Sequence, residues 1–133
     1  MRRLILHIGP FKTGTSSFQH WLRGNAAVLA DAGLVLPLDL LNPNANGELL
    51  AHAFLAAPAD RTAEQSDLID RFGQFCAAHP DASVILSAER LSQMLLVDGS
   101  FLNEFDPRED DTRRQRAARH LHDAVSTLGF DRI

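Results

Sequence analysis

The chain has 133 residues, 45% of them hydrophobic and 23% charged, with a formal net charge of −4. That length fits one domain with a core of its own, and the mild acidity carries no nucleic-acid footprint, so any anion site must be local. Cys76 is the only cysteine, which excludes an intrachain disulfide and a cysteine metal cluster. No stretch approaches transmembrane length, and the apolar run after Met1-Arg2-Arg3 is interrupted at His7 and ends at Gly9-Pro10, too short for a signal-peptide core. A cytoplasmic location is the expectation.

Leu4, Ile5, Leu6 and Ile8 form a short continuous apolar run, the pattern of a parallel strand covered on both faces. After a glycine-bounded turn, Phe18, Trp21, Leu22, Ala26 and Leu29 recur at helical spacing and predict one buried face, with Trp21 packing in the core rather than stacking on a base. Gly24 weakens this helix and Gly33 terminates it. Leu34-Val35-Leu36 reads as a short extended segment, Asn42 to Gly47 as a turn-rich loop, and Leu49 to Ala57 as a helix ending at Pro58. Thr62-Ala63-Glu64-Gln65 fits a capping box that opens a helix carrying Leu68, Ile69, Phe72, Phe75 and Cys76 on one face, Cys76 being a buried small hydrophobe. His79-Pro80-Asp81 stops it.

Ser83 to Leu86 predicts a second parallel strand, followed by Ser87-Ala88-Glu89-Arg90 and a helical pattern through Leu91, Leu95 and Leu96. Polar residues at the carboxyl end of such a strand stand where open α/β sheets bind ligands. Asp106 to Asp111 reads as an acidic solvated loop rather than a metal site. Asp111 or Thr112 is expected to cap a last helix with Ala117, Ala118, Leu121, Val125 and Leu128 inward and Arg113, Arg114, Arg116 and Arg119 in solvent. Gly129 closes it, and Phe130 to Ile133 reads as the lead-in to a further strand. The succession of strands and helices predicts an α/β domain with a parallel sheet.

The turn between the first strand and helix holds the chemistry. Gly9 and Gly14 let the backbone approach a ligand, the helix opening near Thr13 to Ser16 presents unpaired N–H groups, and Thr13, Thr15, Ser16 and Ser17 add hydroxyls. Lys12 is the sole lysine among 13 basic residues, so a compact ammonium in this turn reads as a chemical requirement, unless its place there is chance in an arginine-rich composition. The nucleoside-triphosphate loop G-x-x-x-x-G-K-[ST] is only half matched: Thr15 stands at the lysine position, and Val84-Ile85-Leu86-Ser87 ends in serine where an aspartate would help hold magnesium. A kinase or ATPase thus loses two working parts. Cys76 has no phosphate loop or arginine behind it, which excludes a cysteine phosphatase.

Gly9-Pro10-Phe11-Lys12-Thr13-Gly14-Thr15-Ser16-Ser17, preceded by Leu6-His7-Ile8 and followed by Gln19, closely resembles the 5′-phosphosulfate-binding loop of bacterial sulfotransferases that use 3′-phosphoadenylyl sulfate (PAPS). The likeness extends through Asn25, Leu29, Gly33 to Pro37, His52 and Val84 to Glu89. It implies a P-loop-containing three-layer α/β sandwich with a parallel sheet, and transfer of a sulfuryl group from PAPS to a hydroxyl or amine acceptor without a metal. It implies that Lys12 neutralises the leaving oxygen and that Thr13, Gly14, Thr15 and Ser16 hold the 5′-phosphate, with Ser17 assisting. Glu89 is the candidate general base and His52 the second candidate; the other reading of Glu89 is a cap or ion pair on the helix it opens. The family holds the 3′-phosphate with an arginine and a serine on a later strand and helix. Residues 1–133 are therefore expected to form the N-terminal, 5′-phosphosulfate-binding half of such a domain, truncated after the second main strand and open to self-association at the sheet edge. The alternative is a non-catalytic module that binds phosphate, sulfate or a nucleotide.

Overall fold

A computed structural model describes residues 2–8, 15–88 and 107–130. Strand β1 (Leu4–His7) is followed by helices α1 (Thr15–Gly24) and α2 (Ala26–Asp31), strand β2 (Leu34–Val35), a 3-10 turn at Leu38–Leu40 and helix α3 (Glu48–Leu55). A second 3-10 turn at Pro58–Asp60 leads into α4 (Ala63–Ala78), strand β3 (Ser83–Ser87) and helix α5 (Pro107–Ser126).

The three strands form a parallel sheet in the order β1-β3-β2. Leu4 pairs with Val84 and Val84 with Val35, so one row of side chains crosses the whole sheet on one face. That row, with Leu86, packs against Phe54 of α3, Phe72 and Cys76 of α4, and Leu121 and Val125 of α5. Phe54 and Phe72 meet edge to face at 5.4 Å. Ile85 points the other way, into a smaller cluster with Leu22 of α1 and Leu36, bordered by Leu29 of α2, Leu34 and Leu38. Helices thus cover both faces, the arrangement that continuous apolar strands call for. Leu34–Val35, read as a short extended segment, pairs with β3 as a third strand.

Local chemistry explains three of the helix ends. Thr62 Oγ1 accepts from the Gln65 backbone and Gln65 Oε1 from the Thr62 backbone, completing the expected capping box of α4. Gly33 and Gly129 take positive φ, +77° and +74°, the left-handed conformation that ends a helix without steric cost.

Three expectations are corrected. The helix after the glycine turn is two helices: past Gly24, Asn25 turns its side chain back onto the Trp21 carbonyl (2.8 Å) before α2 begins. Trp21 lies on the surface, 52% exposed, because the inward positions of α1 go to Leu22 and Gln19. Helix α5 begins at Pro107, not at Asp111 or Thr112, so most of the supposed acidic loop is its first turn. Proline suits a first helical position. The helical pattern at Leu91 to Leu96 and the strand lead-in after Phe130 lie outside the described residues, as does Asp106.

Candidate functional site

Because β1 and β3 are parallel neighbours, the residues that follow both strands emerge at one edge of the sheet. His7 pairs with Ser87 at the last rung, and the Ala88 N–H donates to the His7 carbonyl at 3.0 Å. The Ser87 carbonyl accepts from the Gly47 N–H at 2.7 Å, which brings the start of α3 to the same edge. The first residue of α1, Thr15, lies at the far end of residues 8–14 from β1.

Between these ends lies a polar cluster. His7 Nδ1 is 3.0 Å from Ser87 Oγ, and Gln19 Nε2 donates to the same oxygen at 3.0 Å. Ser87 is 1% exposed and Gln19 2%. The Phe18 ring lies 4.5 Å from the imidazole, centre to centre, so the ring of His7 is held from α1 as well as from β3. A leucine buried at position 19 would contribute about 1.5–3 kcal/mol. A hydrogen-bonded glutamine gives about 0.5–1.5 kcal/mol net, and a buried amide left without a partner costs about 1–3 kcal/mol. The trio thus satisfies buried polar groups at the carboxyl ends of β1 and β3.

Ser16 and Ser17 lie exposed in the first turn of α1, with Thr15 before them. Gly9, Pro10, Phe11, Lys12, Thr13, Gly14 and Glu89 lie outside the described residues. His52 lies on α3, one turn beyond the helix start that touches Ser87, with its Nε2 3.7 Å from Glu48 Oε1. The hydrogen-bonded trio was missed in the sequence, although each member left a trace there. His7 interrupts an apolar strand, Gln19 sits beside an apolar stripe, and Ser87 ends the second strand. Nothing in their spacing shows that the three meet.

Among the described residues, no group of three or more histidine, cysteine, aspartate or glutamate side chains is arranged to hold a metal ion, and no helix is long and apolar enough to cross a membrane. No protein-family model, curated protein or solved structure matches the chain.

Proposed function

We propose that this chain is the 5′-phosphosulfate-binding part of a PAPS-dependent sulfotransferase-type domain of the P-loop class. The observation that carries the reading is the passage from the carboxyl end of a parallel strand, through residues 8–14 with Gly9, Lys12 and Gly14, into a helix that begins at Thr15. A helix N-terminus reached from a glycine-bounded turn favours a bound anion, and the lysine adds a fixed cation.

In the proposed reaction the sulfur–oxygen bond to the 5′-phosphate of PAPS breaks as sulfur forms a new bond to the oxygen of an acceptor hydroxyl or the nitrogen of an acceptor amine. Lys12 and the backbone N–H groups of Thr13 to Ser16 neutralise the charge that develops on the leaving phosphate oxygen. Glu89 takes the acceptor proton, with His52 as the other candidate base, and 3′-phosphoadenosine 5′-phosphate (PAP) leaves. No metal is required, and the chain is placed in the cytoplasm.

Calorimetry with PAP, PAPS and ATP–magnesium, paired with a sulfuryl-transfer assay, tests this. Preferred binding of PAP, weakened about tenfold or more by Lys12→Ala, supports it, since a hydrogen bond to a charged group is worth about 1.5–3 kcal/mol. Transfer that falls about 10²- to 10⁴-fold in Glu89→Gln assigns the base to Glu89. Preference for ATP–magnesium, or no nucleotide binding, overturns the proposal; binding without transfer to any acceptor leaves the non-catalytic module.

A further inference from the structure

We infer that Asn46–Gly47 is a deamidation site, prepared by the turn that carries it and locked by the docking of Gly47 on β3. It is the only Asn–Gly pair in the sequence. A glycine after the asparagine favours this reaction, because no side chain hinders attack by its nitrogen. The step begins when base takes the Gly47 N–H proton. The nitrogen then bonds to Asn46 Cγ, the Cγ–Nδ2 bond breaks, and the departing nitrogen takes a proton from water and leaves as ammonia. Water opens the resulting succinimide at either carbonyl, giving aspartate or isoaspartate. Neither an oxidant nor a metal enters this sequence.

The amide half of the reaction is prepared. Asn46 Oδ1 accepts from the Glu48 N–H at 3.0 Å, which draws electron density from Cγ. Asn42 holds the backbone of Asn46 on both sides. The Asn46 N–H donates to Asn42 Oδ1 at 2.9 Å, and the Asn46 carbonyl accepts from the Asn42 N–H at 3.1 Å. What is withheld is the nucleophile. The Gly47 N–H donates to the Ser87 carbonyl at 2.7 Å, and both residues are buried, so base does not reach that proton while the contact stands. Local opening of the loop from the strand end releases it. Conversion to isoaspartate then records the opening permanently, since the backbone runs through Cγ and the added carbon carries Gly47 away from Ser87. None of this rests on the sulfotransferase reading.

The test incubates the full chain at mildly alkaline pH, with and without denaturing urea. Peptide mass mapping follows Asn46, and hydrogen exchange follows the Gly47 N–H. In urea, Asn46 is expected to convert ahead of Asn25, Asn42, Asn44 and Asn103, with isoaspartate among the products. In the folded chain its conversion should be slowed about tenfold or more, and by the same factor as Gly47 exchange to within about threefold, because both reactions wait for one opening. Asn46→Ser, which keeps an oxygen acceptor for the Glu48 N–H, should abolish the mass gain. Conversion of Asn46 no faster than that of the other asparagines in urea overturns the site. Conversion as fast in the folded chain as in urea overturns the lock. A slowing that departs widely from the exchange protection of Gly47 overturns the part given to its contact with Ser87.

Discussion

The thiol of Cys76 is buried in the main core beside Arg2, and the two act on its acidity in opposite directions. Burial pushes its pKa from 9.0 up to about 11, while the Arg2 guanidinium, by its charge and a hydrogen bond, pulls it partly back. The folded state therefore keeps this proton at pH values where the unfolded chain has released it. The contribution to stability is fully present below about pH 9 and is lost as the pH rises through about 11. Denaturation midpoints followed across that window should fall, and Cys76→Ala should remove this part of the slope. The native thiol should also resist thiol reagents that label it readily in urea. That Cys76 is buried was legible from its spacing with Phe72 and Phe75. The exposure of Trp21 was not, since the apolar residues of α1 form a broader stripe than the sheet covers, and the place beside Leu22 went to Gln19 to satisfy Ser87.

Helix α3 is placed by the loop before it. Asn42 Oδ1 accepts from the backbone N–H groups of Asn44 (3.0 Å) and Asn46 (2.9 Å), and Ala45 takes a φ of +58°. Gly47 then docks on β3 through the Ser87 carbonyl and opens the helix by accepting from the Ala51 N–H at 2.9 Å. A Cβ at position 47 would overlap Leu86 Cδ1 and come within 3.2 Å of Leu41 Cδ2. Leu86 is fully buried, so its side chain would have to shift within the core to make room. Gly47→Ala should therefore lower stability by about 1–3 kcal/mol, read as a shift in the urea midpoint. A change of a few tenths would show that the strand end yields more easily than its packing indicates. The turn-rich character of Asn42 to Gly47 was readable, but the close approach of Gly47 to Leu86 depends on residues far apart in the chain. A two-residue β2 and a helix that starts on Pro107 inside an acidic run also left too little local pattern to be placed from sequence.

Across the whole molecule, Arg2 ties three elements together. Its guanidinium donates to the Cys76 carbonyl near the end of α4 (2.6 Å) and to the Leu128 carbonyl just past α5 (3.0 Å), and it lies 4.5 Å from the centre of the Phe130 ring. Carbonyls at helix carboxyl ends carry partial negative charge, so one cation just before β1 serves two helices at once. Arg2→Ala should cost about 2–4 kcal/mol in urea unfolding, and Arg2→Lys should recover only part, because an ammonium lacks the planar fork. In the sequence, Arg2 was only a charge ahead of an apolar run. The layered plan was legible from the alternation of apolar strands and amphipathic helices, whereas the order of the strands was not. That order has a consequence in time. Among the described residues, β1 and β2 both bond to β3, which comes last of the three in the chain. As the polypeptide leaves the ribosome, the first strand meets this described partner once residues 83–87 have emerged. The intervening segment must then close as one large loop, which makes folding slower than for a chain of local contacts. During synthesis, the glycine- and lysine-bearing segment that follows β1 in the sequence thus emerges long before the strand that pairs with β1.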